Sequence, residues 1–482
     1  MAALIKTEGR RTVANGVSIF GAEAASRLAT FVVAMVIARR FGPQALGEYG
    51  YALALTGILL VLPDMGLHLL ATRELAAHPE RLSVVVWRLF FLKAALFAGV
   101  IAIGALLAEV AIHDEARRAL FLVLAARMVL QSISLGCAAV FKAFERMHYI
   151  ALTQLANAGV CFAALAACLL LKTNLALVAG ALVIGQVFET WFAWRILMRR
   201  FNPGAIPRWN WKPLLAAFTK AAPVGIVVLL QTVGLRVDIL ILGIFAPDRD
   251  LGRLQAAVWF VTLSFLLATL LMSVLFPKLA RLWRHPAAER IHYIESLLKH
   301  GALFATGLAA VVWLAAPYLL KTFFGESLGS AASLLHILAP AIPFLFVNSM
   351  LFYVYIAADR RKTYLAILSF SLTGGLIAAF MLAARWGATG SAWADVAREL
   401  VECVLLLFCL NRESLIPNLG PAFFKVAISG AGVTAIILVA GRIHTVESCA
   451  AVWSFAIVAA TLVFTGLPKW RQIVLLAAGE RA

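Results

Sequence analysis

Charge is scarce in this chain. Of its 482 residues only 14% are Asp, Glu, Lys or Arg, while 63% are hydrophobic. A soluble domain carries roughly 25% charged residues, so a polar surface on all sides is excluded. Cysteine is scarce as well. The six cysteines (Cys137, Cys161, Cys168, Cys403, Cys409, Cys449) fall in or at the ends of apolar runs, and no two are spaced Cys-x-x-Cys. They read as small buried hydrophobes, neither a disulfide framework nor a thiolate metal site. Catalytic signatures are missing too. There is no Gly-x-x-x-x-Gly-Lys loop for ATP, no His-Glu-x-x-His and no Gly-x-Ser-x-Gly. His68, His300 and His336 are scattered and read as structural. No enzyme activity, metal or cofactor is expected. A cleavable signal peptide is not expected either: the first apolar run is too long for an h-region and lacks a cleavage-like end.

What the chain has instead is apolar length. About 14 runs reach the roughly 20 residues needed to cross a bilayer as a helix. Barrel strands would alternate in polarity over pieces of about 10 residues, and these runs are twice as long. The expectation is an all-α, polytopic membrane protein. The basic residues set its orientation. Lys6, Arg10 and Arg11 precede the first run, and Lys469, Arg471 and Arg481 follow the last. Pro277 to His292 and Asp359 to Lys362 are basic hinges. All of these belong in the cytoplasm by the positive-inside rule, with both termini inside. Arg39-Arg40, expected outside, is a mild exception. The formal net charge of +18 is then explained by basic loops and anionic membrane lipids. No soluble domain is present to carry it towards nucleic acid.

The clearest linker is Arg199 to Lys212, which combines Pro, Gly, Trp and basic residues. It divides the chain into an N-terminal bundle (1–200), a cytoplasmic linker (201–212), a second bundle (213–411), and two last helices with a cytoplasmic tail (412–482). Leu214 to Phe245 is too long for one straight span, and a bend is expected at Pro223. A short repeat supports two related halves. Phe41-Gly42-Pro43 followed by Leu46-Gly47 matches Phe245-Ala246-Pro247 followed by Leu251-Gly252. Six helices separate the two hinges, which predicts a pseudo-two-fold along the membrane normal.

Against this apolar background a few intramembrane charges stand out. Val13 to Ala38 is the first span, yet Glu23 and Arg27 lie near its middle. A charge at the bilayer centre costs on the order of 2.5–3.5 kcal/mol even on the lenient insertion scale. Such a charge must face protein, water or a ligand. Arg127, Arg236 and Arg398 repeat the pattern. Each has a bland reading. Arg27 and Glu23 are one helical turn apart and can neutralise each other. Arg236 and Asp238 can pair with neighbours, and Arg398 can bridge to Asp395, Glu399 and Glu402. Arg127 has no acid at helical spacing, only Gln131 one turn on. The functional reading is a shared cationic cavity. Arginine forks suit phosphate oxygens, so several around one cavity suit a diphosphate. Lys220, with Arg88 and Lys93, lies on the inner side, where it can draw a phosphate in or snorkel to headgroups. Gln154 and Asn157, with Gln186, Gln231 and Asn348, can bind sugars or bridge helices.

The residues also resemble a family. Arg39 to Gly50, Asp64-Met65-Gly66-Leu67, Thr72-Arg73-Glu74-Leu75, Arg236 to Gly243 and Phe276-Pro277-Lys278-Leu279 together resemble the Wzx-type polysaccharide-biosynthesis (O-antigen) flippases. These belong to the multidrug/oligosaccharidyl-lipid/polysaccharide exporter superfamily. The resemblance implies two six-helix lobes in a V, with two C-terminal helices appended, in the bacterial inner membrane. It implies an undecaprenyl-diphosphate-linked oligosaccharide as substrate, moved by alternating access. Coupling to H+ or Na+ and contact with glycan-polymerisation machinery come with it as open expectations. Two other readings stand beside it. A cation-coupled multidrug or small-molecule exporter of the same superfamily would need one dominant buried acid, for which Asp238 or Asp395 would serve. A membrane enzyme of glycan assembly would need a large outer loop bearing acids, and the outer loops are short.

Overall fold

The computed structural model describes residues 2–110, 115–206, 211–283 and 286–412, apart from some side chains inside those helices. The expected spans from Ala422 to Ala440 and Cys449 to Leu467 lie outside the described residues, as does the side chain of Glu23. The described part is all-helical, with no strand. Eight of its helices are long and apolar enough to cross a membrane, or nine if one bent pair counts as a span. Large apolar side chains such as Leu170, Tyr318, Ile244 and Phe370 are among the most exposed. Outward-facing apolar surface on this scale requires lipid around it. The chain is a multi-pass membrane protein.

Each of the first twelve expected runs is helical. The first two run together as α1 (Ala2–Val61), interrupted at Gly42, whose φ of 87° an L side chain rarely adopts. α2 (Leu67–Ala77) follows a tight turn at Asp64 to Gly66. Then come α3 (Leu82–Val110), α4 (Glu115–Ala143), α5 (Met147–Leu170) and α6 (Leu175–Ile196). Asn174 caps α6 by accepting from the Leu177 amide. The expected bend at Pro223 is corrected. α7 (Trp211–Gly234) stays helical through Pro223, and the break falls at Leu235–Arg236, before α8 (Val237–Phe245). α9 (Asp248–Leu282) and α10 (Ala287–Phe324) are long. α11 (Ala332–Leu338) and α12 (Ala341–Ala357) meet at Pro340, where the path bends by 54°. α13 (Arg361–Arg412) carries two runs joined at Gly387, φ 56°.

The chain forms two compact units, 15–252 and, among the described residues, 2–14 with 253–412. In the first, α4, α5 and α6 pack together and α2 lies against α4 and α7. Their core holds Leu75, Val86, Leu89, Val140, Phe141 and Leu197, ringed by Phe90, Trp194 and Phe201. The related hinges of the repeat meet inside this unit. A Cβ on Gly47 would lie 1.9 Å from the Asp248 carbonyl oxygen, and one on Gly252 would lie 1.8 Å from that of Pro43. The two glycines thus serve the same close approach from opposite sides. Arg117 adds an ion pair to Asp248 and stacks 5.2 Å from the Tyr51 ring centre. A second close approach joins the α1–α2 turn to α7: a Cβ on Gly225 would lie 2.3 Å from the Met65 carbonyl carbon. In the second unit, α12 packs on α10 and α13, and α11 packs on α13.

Candidate functional site

The sequence offered arginines on separate helices, and the first unit brings three of them together. Arg236 sits at the α7–α8 break, just before the first turn of α8. There it leaves the regular helix, and its side chain is half-buried. The guanidiniums of Arg27 on α1 and Arg127 on α4 both lie within electrostatic reach of it, as does the Asp238 carboxylate. Asp238 is buried and stands in the first turn of α8, where the free amides of a helix N-terminus favour negative charge. Arg27 and Arg127 are half-buried. The Arg127 Nε is enclosed and has no hydrogen-bond partner among the described residues. Like charges in a low-dielectric interior repel. Three guanidiniums and one described carboxylate thus act on one another at the α7–α8 break.

One residue that the sequence reading missed belongs with them. Tyr49 is fully buried, with its hydroxyl among the enclosed atoms lacking a hydrogen-bond partner. Arg127 and Arg236 both act on it electrostatically, and so does Cys161. Tyr49 stands in the hinge motif Gly47-Glu48-Tyr49-Gly50, where it read as a family mark and not as a ligand group.

The other expected site residues have varied surroundings. Gln131 lies one turn beyond Arg127 and is half-buried. Gln154 is half-buried, with Oε1 enclosed and unpartnered. Asn157 is buried and donates to Glu189 at 2.5 Å. Gln186 donates to the same carboxylate at 3.1 Å and to Ser134 at 3.0 Å. These amides tie α4, α5 and α6 together. Glu189, an acid inside an apolar run, carried the same signal as Glu23 but was not singled out. Lys220 is exposed. Arg88 pairs with Glu74. Lys93 is buried, 2.6 Å from Asp64, and donates to the Ser132 carbonyl at 2.9 Å, while His68 bonds the other Asp64 oxygen. Arg398 lies in the second unit among carboxylates of its own helix. Among the described residues no cluster of three or more His, Cys, Asp or Glu is arranged to hold a metal ion.

Comparison with known proteins follows this geometry. A family model described as "Polysaccharide biosynthesis protein" matches residues 12–283, more than half of the chain. No curated protein matches. Among solved structures, the lipid II flippase MurJ in an inward closed conformation is 13% identical with a TM-score of 0.70, over 95% of this chain and all of its own. An inward-facing multidrug-resistance MATE transporter of the MOP superfamily is 12% identical with a TM-score of 0.67, covering 85% of this chain and 96% of its own. A MOP superfamily transporter from Pyrococcus furiosus, described by the reverse polarity of its binding pocket, is 13% identical with a TM-score of 0.60. It covers 88% of this chain and 96% of its own. At this identity the likeness is one of fold, and the fold is that of MOP superfamily transporters.

Proposed function

Given that the chain belongs to the polysaccharide biosynthesis protein family, we propose that it flips an undecaprenyl-diphosphate-linked oligosaccharide across the bacterial inner membrane. The observation that carries this reading is the gathering of Arg27 and Arg127 at Arg236, with the enclosed Tyr49 hydroxyl near Arg127 and Arg236. A diphosphate offers these forks several oxygens at once, and charge-assisted bonds to arginine are among the strongest available. Gln131 and Gln154 would meet the first sugars, and Lys220, exposed, would guide the headgroup in. The lipid tail would stay against the apolar outer surface. Alternating access would come from rocking of two lobes, 1–200 and 213–411, with a gradient of H+ or Na+ as the driving force. Both termini would lie in the cytoplasm, near the enzymes that build and polymerise the glycan.

A cationic-drug exporter needs the opposite polarity around Arg236, so the three guanidiniums argue against that reading. The test is genetic and chemical. Arg127→Ala and Arg236→Ala, each checked for normal membrane levels, should abolish surface glycan while lipid-linked glycan accumulates on the cytoplasmic side. Normal export by both variants would remove the cationic site from the mechanism. A deletion strain with no lipid-linked intermediate would remove the substrate class.

A further inference from the structure

A second group of charges, in the second unit, is not absorbed by anion binding. On the second half of α13, Arg398 lies between three carboxylates. Its Nη2 is 2.8 Å from Asp395 and 2.6 Å from Glu399, and its Nη1 is 3.6 Å from Glu402. The side chains of Arg398, Glu399 and Glu402 are 6–8% exposed and that of Asp395 is 16% exposed. The Arg398 stem is pressed over Gly375 on the first half of α13, where a Cβ would lie 2.7 Å from its Cδ. One cation thus faces three acids inside an apolar span. Ser371 from the first half of α13, Asn348 from α12 and the thiol of Cys403 complete the group. The charges that act on Arg398 are Glu399, Asp395 and Glu402, and those that act on Glu402 are Glu399 and Arg398. A surplus of two negative charges at this depth is not tolerated without compensation.

The hydrogen bonds show where the compensation belongs. Asn348, 6% exposed, uses its Nδ2 twice, on the Glu399 carboxylate at 2.8 Å and on the Glu399 carbonyl at 3.0 Å. Its Oδ1 is enclosed and has no donor among the described residues. Ser371 Oγ lies 3.1 Å from the Leu368 carbonyl and 3.3 Å from Glu402 Oε2, but a hydroxyl has one proton to give. With that proton on Leu368, Oγ and Oε2 face each other as two acceptors. The group is thus short of protons on both counts, charge and donors. A metal ion would have to sit beside the guanidinium, whereas a proton on Glu402 removes one of the two surplus charges in place and supplies the donor between Oε2 and Ser371 Oγ. We infer that the Arg398–Glu399–Glu402 cluster is a proton-binding site, with the proton held on Glu402 against Ser371 and Glu399. Resting on the flippase reading, this is the site through which a proton gradient drives the transport cycle. Binding and release are simple proton transfer: an O–H bond of hydronium breaks as Glu402 Oε2 gains H+, leaving a neutral carboxyl and water, and release is the reverse.

Infrared difference titration of the full chain, reconstituted in phosphatidylethanolamine–phosphatidylglycerol vesicles, reads this directly and needs no substrate. A C=O band of a protonated carboxyl is expected at neutral pH, lost on alkalinisation, absent in Glu402→Gln and shifted in frequency in Ser371→Ala. Should Glu402→Gln fail to fold, Glu399→Gln serves, in which the band should move to a different titration range. A wild-type chain without the band, or a band that Glu402→Gln and Glu399→Gln both leave unchanged, overturns the assignment. So does removal of the band by Na+ at fixed pH, which would mark a metal-cation site. Glycan flipping that responds to a pH gradient in wild type but not in Glu402→Gln supports the coupling role. Flipping with the same gradient dependence in both would overturn that role while leaving the flippase reading intact.

Discussion

The enclosed phenol of Tyr49 is a group whose hydrogen bond has to come from elsewhere. A buried hydroxyl without a partner costs about 1–3 kcal/mol. Tyr49→Phe should therefore leave thermal stability in detergent unchanged or slightly raised, while glycan flipping in vesicles falls several-fold. A loss of stability with unchanged flipping would assign the hydroxyl a packing role. Lys93 makes the opposite case. Its ammonium is sealed against Asp64, so Lys93→Ala strands a carboxylate and should cost about 3–5 kcal/mol. Adding Asp64→Leu should recover much of it, and a thermal-shift series of the two single variants and the double checks this. At this scale the sequence showed which charges are out of place, because an ion in an apolar run is visible in one dimension. It did not show their partners. Arg127 has no acid at helical spacing, and its neighbours Tyr49 and Arg236 come from hinges distant in sequence. Lys93, whose sequence position suits drawing in phosphate, is instead paired with Asp64 from the turn before α2.

Among the elements, the breaks matter more than the helices. Arg236 reaches its neighbours because α7 ends at Gly234 and α8 starts afresh. Proline was the expected signal for that bend, but Pro223 is accommodated inside α7, since neighbouring helices re-satisfy the freed backbone in a membrane bundle. The paired hinges give a sharper prediction. Gly47→Ala inserts a methyl where the Asp248 carbonyl already stands. Spin labels on Gln44→Cys and Arg249→Cys, both exposed positions, should move apart in the Gly47→Ala background, and Gly252→Ala should do the same. An unchanged distance in both would mean that the hinges yield without separating. The repeat motif was readable as Phe-x-Pro with Leu-Gly. That its two copies touch each other was not, because a repeat specifies similarity and says nothing of proximity.

For the molecule as a whole, composition was enough. Fourteen per cent charge and long apolar runs require lipid, and the helical class follows from the lengths of those runs. The net charge of +18 makes a prediction that belongs at this scale. Reconstituted in vesicles, the chain should be more heat-stable in phosphatidylglycerol than in phosphatidylcholine, and added salt should shrink the difference by screening. Equal stability in both lipids at low salt would mean that the basic loops do not meet headgroups. What composition could not give is the substrate, since chemistry resides in a few side chains whose grouping depends on tertiary structure.

The seam between Gly47 and Gly252 is bare peptide against bare peptide. Such a seam has no interlocking knobs to disengage, so parting it demands little rearrangement of packed rings or branches. Nor can it be adjusted at its own two positions, because any larger residue would pry it open. Whatever tension the hinge needs has to be set from its margin, at the Arg117–Asp248 clasp, which makes that clasp the natural place for variants that speed or slow the hinge without dismantling it.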